Sequence, residues 1–217
     1  PSLNRSTLAL LLALGALPAL AQDGSDSATT LPTVTVTGTI EERATGPVVG
    51  HIATRSATAT KTDTPLVETA QSVSVITADR IRDQGARTVQ ETLRYSAGVY
   101  AETYGLDSRG DWSLVRGTAP VQYLDGLQQS FGAYANVRPD PFTLERVEVL
   151  KGPSSVLYGQ GSVGGITNLV STRPLATRQG EMQVQLGNHG LKQIALGVTG
   201  PVNEDGTLLY RLVAVGR

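Results

Sequence analysis

Gly159-Gln160-Gly161-Ser162-Val163-Gly164 has the residue types and spacing of a known binding chemistry. G-x-G-x-x-G lets a backbone turn approach a pyrophosphate, which then sits on the amides that open the following helix. The chemistry needs a strand before the glycines, a helix after them, and a carboxylate about 20 positions on to hold a ribose hydroxyl. Here the glycines are followed by Ile166-Thr167-Asn168-Leu169-Val170-Ser171, whose β-branched residues predict a strand, and Pro174 closes it before any crossover helix. No Asp or Glu occurs between Gly165 and Gly180, and there is no G-K-[ST]. The nucleotide reading fails, and the glycines need another explanation.

Other chemistries are thinner still. Absence of cysteine removes disulfides and thiolate metal sites. The two histidines, His51 and His189, are far apart in sequence, which disfavours a histidine metal centre. No paired carboxylates or nucleophile–base arrangement emerges to argue for an enzyme. A net charge of -1 makes no electrostatic case for nucleic acid. With 24 glycines and frequent Thr, Val and Ser, the composition favours strands joined by tight turns.

The elements follow from the N-terminus. Arg5, the apolar run Leu8–Leu17, Pro18 and the A-x-A site Ala19-Leu20-Ala21 predict a secretory signal peptide over 1–21. A membrane anchor or a buried helix is the alternative, but the apolar core falls short of the about 20 residues a span needs. The sequence opens on Pro1 rather than Met, so further residues are expected ahead of it. Residues 22–61 predict a flexible segment. Within it Val34 and Val36 alternate with Thr33, Thr35 and Thr37, a strand-competent stretch over 33–38. It reads either as a strand that adds to the sheet edge of another protein or as an ordinary edge strand of its own domain.

A domain is expected from about Thr62 to Pro174. Ser72–Thr77 alternates as a strand; Thr77 caps a helix from Ala78 to Gln84, ended by Gly85. Thr88-Val89-Gln90-Glu91 is a capping box opening a second helix towards Tyr95. Ser113–Arg116 and Gln122–Leu124 predict strands, with a tight turn at Asp125-Gly126. Leu144–Leu150 predicts a strand and Pro153–Tyr158 a short helix. The tail, 179–217, holds three amphipathic strands: Met182, Val184 and Leu186 share one face of the first, Ile194, Leu196 and Val198 one face of the second, and Leu208–Val215 is the third. They fit a membrane β-barrel or a soluble meander; the export signal favours the barrel. Three strands cannot close in lipid, which makes the chain look like the beginning of something longer.

The order "LPTVTVTG", "TATKTDTPLVETAQSVSVIT", "RYSAGV", "VRG", "YLDGL", "LERVEVLKGPSSVLYGQGSVGGITNLVSTRP" and amphipathic strands resembles the N-terminal part of a TonB-dependent outer-membrane ferric-siderophore receptor of the hydroxamate, ferrichrome-like type. The likeness covers nearly the whole chain, and Leu144–Pro174 is its most specific part. It implies an α+β plug domain, a small mixed sheet with short helices and long loops, over 62–174. The strands of 179–217 would be the first of a transmembrane β-barrel of about 22 strands, truncated here. Thr33, Val34, Thr35, Val36 and Thr37 resemble the TonB box, the strand captured by TonB, itself coupled to ExbB and ExbD. Only about ten residues separate Ala21 from the box, too few for a signalling domain, so no transcriptional signalling role is expected. The implied function is energised uptake of a ferric siderophore from the outer membrane of a Gram-negative bacterium, with a periplasmic N-terminus. The iron chelate is cargo and no cofactor is expected. Alternatives are a receptor for another metal chelate and a non-transporting adhesive or structural barrel.

The resemblance also assigns residues. Tyr134 matches an apex tyrosine that contacts ligand; Tyr104 lies in the other apex loop, where the family member has arginine, which leaves the ligand open. Gln122, Phe131 and Trp112 are further ligand candidates, with packing as the alternative for each aromatic. Arg116, Glu145, Arg146, Glu148 and Lys151 resemble charges that hold the plug against the barrel wall; a solvated strand face is the other reading. Gly159–Gly165 resemble plug turns where backbone passes close to backbone. Val163 stands where the family usually has proline, with local loop differences expected.

Overall fold

The computed structural model describes residues 42–129 and 138–217. The stretch 33–38, Phe131 and Tyr134 lie outside them, as does the signal peptide. In chain order the elements are β1 (Arg55–Ser56), β2 (Thr64–Pro65), β3 (Ser72–Thr77), α1 (Ala78–Asp83), α2 (Val89–Thr92), β4 (Val99–Ala101), β5 (Ser113–Val115), β6 (Val121–Leu124), β7 (Leu127–Gln128), β8 (Leu144–Lys151), α3 (Ser155–Tyr158), β9 (Gly165–Ser171), β10 (Gln179–Leu186), β11 (Lys192–Pro201) and β12 (Leu209–Gly216).

Local signals act where their chemistry predicts. Thr77 ends β3 in extended geometry, and its hydroxyl accepts from the Arg80 amide at 3.2 Å to start α1. The same hydroxyl donates to the Gly50 carbonyl at 2.7 Å. Thr77→Ala removes both and is expected to destabilise α1 by about 1–2 kcal/mol. Amide exchange across 78–84 reads the loss, and Thr77→Ser should restore protection. Thr88 caps α2 by accepting from Glu91. The reciprocal bond lands one residue early, since the Glu91 carboxylate takes the Arg87 amide at 2.6 Å. The helix also stops at Thr92, short of Tyr95. Asp125 and Gly126 take φ of 50° and 80°, and Leu124 pairs with Leu127, a two-residue hairpin turn whose twist matches its strands.

Five strands form a mixed sheet ordered β3-β8-β9-β6-β7, with β6 and β9 parallel and the other pairs antiparallel. β8 and β9 are buried on both faces, so neither reads as a simple alternation. One face presents Ile76, Val147, Val149 and Leu169 to Ile81 of α1, Val89 of α2, Leu93 and Val115 of β5. The other presents Val73, Leu150, Ile166 and Tyr123 to Ala59 and Tyr158. In register with that second set, on the same face of β8 and β9, stand Arg146, Glu148 and Asn168.

A strap, residues 42–61, covers those polar side chains. It lies inside the 22–61 stretch expected to be flexible, yet Ala44, Val48, Ala53, Ser56, Thr58 and Ala59 are buried, so ordered structure is present ahead of the expected Thr62 boundary. Composition suggested flexibility because the strap is rich in Gly, Ala, Ser and Thr. It is ordered because its small residues fit close against the sheet and its polar groups meet buried charges.

The glycine run also has its structural account. The Gly164 carbonyl oxygen accepts from the Gly152 amide at 2.7 Å. A Cβ on Gly164 would collide with the Val115 carbonyl and the Thr118 hydroxyl. One on Gly165, where φ is +137°, would collide with the Leu150 carbonyl. The order is helix, glycines, strand, the reverse of a nucleotide site. Val163 is 73% exposed, so its side chain packs against little.

β10, β11 and β12 form a separate antiparallel meander. Register puts Met182, Leu196 and Ala214 in one row and Val184 and Ile194 in the next, all on an exposed apolar face. The opposite face carries Gln183, Gln185, Gln193, Thr199 and Arg211. Apolar out and polar in is the membrane-barrel pattern, the reverse of a soluble meander with its apolar side against the core.

Candidate functional site

The apex loop hangs from the β4–β5 hairpin, where the Glu102 amide donates to the Trp112 carbonyl at 2.9 Å. Gln90, fully buried on α2, clamps the loop: its amide nitrogen donates to the Gly105 carbonyl at 3.2 Å and its oxygen accepts from the Trp112 amide at 2.9 Å. Arg94 grips Glu102 through two bonds of 2.5 and 2.7 Å. Arg109 holds the Asp107 carboxyl well below the usual carboxylate range. Arg138 donates to the Asp107 carbonyl at 2.8 Å and pairs with Asp111 at 3.1 Å, tying the chain ahead of β8 to this loop.

On this braced loop Tyr104 is 74% exposed and meets Trp112 edge to face, centroids 5.5 Å apart at 81°. The structure therefore brings two of the ligand candidates together as a preoriented aromatic corner, with an open ring face and a phenol tip. Gln122 is elsewhere, on β6 and paired with Thr167 within the sheet. The clamp residues Gln90, Arg94 and Arg138 carried no sequence signal, because their partners lie in loops without periodicity.

The five charges expected at a barrel wall separate. Arg146 and Glu148 are 0% and 1% exposed and face the strap, which corrects both sequence-based readings for this pair. Arg146 donates to the carbonyls of Arg43 (2.9 Å), Gly46 and Arg55 (3.4 Å). One Glu148 oxygen accepts from Ser56 at 2.7 Å and from Thr58; the other lies 3.9 Å from the Arg146 Nε. Thr58 is held in addition by Asn168 at 2.9 Å and, through its carbonyl, by the Tyr158 hydroxyl at 2.6 Å. Glu145 accepts from the Val48 amide at 3.2 Å, again a strap contact. Lys151 donates to Ser74 at 2.7 Å, while Arg116 is exposed. The described ion pairs between this domain and β10–β12 use another residue: Arg82 with Glu181 at 3.2 Å. Just past β12, Arg217 pairs with Asp140 at 2.5 Å.

Burial pushes the Glu148 carboxyl above its ordinary 4.5, and the bonds from Thr58 and Ser56 and the Arg146 charge oppose that only in part. The folded state thus holds this proton more tightly than the unfolded one. The stability it contributes is present below pH 4.5 and is lost as pH rises through the raised folded value. Protection factors for amides 55–58 are expected to fall over that window, and Glu148→Gln should flatten the slope. An equal slope in the variant would assign it to another group. The same burial, with the Glu148 charge, pushes the Tyr158 phenol up to about 12.

Comparisons with known proteins agree on one family. The family model for the TonB-dependent Receptor Plug Domain matches residues 65–166. The ferrichrome outer membrane transporter/phage receptor of Escherichia coli (strain K12) is 35% identical over 221 residues, covering 100% of this chain and 30% of that protein. The ferrioxamine receptor of Yersinia enterocolitica is 38% identical over 191 residues, 85% of this chain and 27% of that protein. The crystal structure of the ferripyoverdine receptor of the outer membrane of Pseudomonas aeruginosa, bound to ferripyoverdine, superposes with a TM-score of 0.65 at 27% identity, covering 74% of this chain and 22% of that one. The chain spans less than a third of the length of each of these relatives.

Proposed function

Because this chain belongs, through residues 65–166, to the TonB-dependent receptor plug family, we propose that it is the plug and first barrel strands of an outer-membrane transporter for a ferric siderophore. One observation carries the reading. The plug sheet runs directly into strands whose outer face is apolar and whose inner face, towards the plug, is polar. A sheet built that way lies in lipid on one side and against a hydrated stopper on the other. The bound chelate is cargo: no bond in it is made or broken, and the protein acts as a transporter rather than an enzyme.

The hydroxamate class is supported by relatives named as ferrichrome and ferrioxamine receptors. The Tyr104–Trp112 corner supplies what such a bulky complex, decorated with carbonyl oxygens, needs: aromatic area and a hydrogen-bonding tip. Tyr134, Phe131 and Gln122 stay in the proposal as further contacts. Arg116 and Lys151 are the two of the five expected charges left for an acidic partner on the barrel wall. Energy would come from TonB, with ExbB and ExbD, by strand addition at Thr33–Thr37.

The test uses the full-length gene in iron-starved cells lacking their own receptors, with radiolabelled iron delivered on hydroxamate and catecholate siderophores. Uptake of a hydroxamate complex is expected. Val36→Pro removes a backbone donor from the added strand and should abolish uptake while surface binding persists. Uptake indifferent to Val36→Pro would remove the TonB box from 33–38, and uptake only from catecholates would replace the ligand class.

A further inference from the structure

The outer face of β10–β12 is not smooth. A groove of about 410 Å³ lies on it, lined by Gly180, Met182, Leu196, Val198, Leu212 and Ala214. Gly180 and Ala214 are its low points, and the four larger side chains, all exposed, form its rims. Glu181 turns its carboxylate to Arg82 on the inner face, so no side-chain charge enters the groove. One row further towards the start of β10 stand Arg178, Gly200 and Tyr210. Gly200 pairs with Tyr210, and Arg178 precedes the Gln179–Thr199 pair. A Cβ on Gly200 would lie 2.8 Å from the Arg178 Cγ. Gly200 is thus a notch that seats the arginine stem against the outer face of β11. It is buried, although Val198 and Leu196 on the same face are exposed. The Arg178 side chain is otherwise exposed, and no carboxylate of the described residues pairs with it.

We propose that Arg178 in its Gly200 notch, Tyr210 and the groove beyond them form a site for one anionic glycerophospholipid, with its phosphate on the guanidinium and an acyl chain along the groove. The inference rests on the outer-membrane reading above, which puts the start of β10 at the periplasmic leaflet. A cation at the foot of an uncharged groove matches a molecule with one anion and a hydrocarbon chain. The guanidinium fork gives a phosphate two parallel N–H bonds. Its stem is already ordered by the notch, so binding loses less rotamer freedom than at a free arginine. Tyr210, on the same face, sets an apolar ring beside the chain and a phenol at headgroup level. The level fits as well. The next charge on that face of β11 is Lys192, at its other end. From Gly200 to Lys192 the strand rises about 26 Å, at about 3.3 Å per residue. Tilted by about 40°, that spans about 20 Å, close to the roughly 25 Å apolar band of such barrels. Arg178 and Lys192 therefore stand at opposite polar boundaries, and only Arg178 has the groove at its side.

Photolabelling of the full-length receptor tests this. The probe is phosphatidylglycerol with a diazirine in its acyl chain, at low fraction in phosphatidylethanolamine vesicles. The comparison probe carries the same chain under a phosphatidylethanolamine headgroup. After irradiation the label on peptides from 179–216 is quantified. Phosphatidylglycerol is expected to label the groove residues more strongly than the comparison probe, by about fivefold for one cation meeting an anionic lipid. Arg178→Gln should bring the two probes level. Gly200→Ala keeps the charge but pushes the stem aside, and should also lower the phosphatidylglycerol label. Lys192→Gln removes the same charge from the other end of the face and should leave the label unchanged. Equal labelling by both probes in the unsubstituted receptor, or a loss in Lys192→Gln as large as in Arg178→Gln, overturns the site and leaves ordinary boundary lipid. An unsubstituted receptor whose β10–β12 are digested by protease in the vesicles removes the outer-membrane reading instead, and the site with it.

Discussion

Arg146→Met is expected to release residues 42–58 from the sheet. The substitution strips donors from three strap carbonyls, those of Arg43, Gly46 and Arg55, and leaves Glu148 without its countercharge on the same buried face. Removing one member of a buried pair costs about 3–5 kcal/mol, because the remaining charge has no water to turn to. Amide exchange of 42–58 in outer-membrane vesicles should then accelerate by about two to four orders of magnitude, while β10–β12 stay protected. The double variant Arg146→Met with Glu148→Met should regain part of the loss, since a missing pair is cheaper than an orphaned charge. Protection equal to wild type in Arg146→Met would mean that the apolar contacts of Ala44, Val48 and Ala59 suffice to hold the strap. A double variant worse than the single would mean that Glu148 acts mainly through Ser56 and Thr58 rather than through Arg146.

Gly165→Ala should be comparably severe, for a different reason. The Cβ would meet the Leu150 carbonyl at a φ of +137°, at the point where Gly165 pairs with Lys151 across β8 and β9. The backbone must move or the ladder must break, a loss of about 3 kcal/mol or more. The informative control sits in the same motif. At Gly161 the nearest atom to an added Cβ is the Val121 Cγ2 at 3.9 Å, and φ is not positive, so Gly161→Ala should change stability by about 0.5 kcal/mol or less. The yield of protease-resistant full-length receptor, with exchange across 144–171, separates the two. Equal tolerance at both positions would show that the backbone approach at Gly165 is soft.

Much of the fold was legible because its signals are local. Thr77 and Thr88 cap helices, Asp125-Gly126 turns a hairpin, and the period of two in 181–198 sorts one strand face from the other, each from residues within a few positions. The likeness of Leu144–Pro174 to a known plug supplied the family. What the chain alone misjudged was the charged pattern of Leu144–Lys151. In sequence Arg146 and Glu148 look like a surface strand's charges, whether facing water or a barrel wall. Their partners are about 90 to 103 positions away, at Arg43, Gly46, Arg55, Ser56 and Thr58, in a stretch whose small polar residues suggest flexibility.

By itself, then, the sequence determined the types and order of most of the longer elements, the apolar face of the tail strands, and the need for glycine after Tyr158. Only the tertiary structure decided which side of β8 and β9 is covered by helices and which by the strap, which aromatic residues meet at the apex, and which charges are buried. The physical reason is that caps, turns and strand periodicity depend on neighbours along the chain. The burial of a charge depends on what the fold lays over it, and here that is a segment with no periodicity of its own.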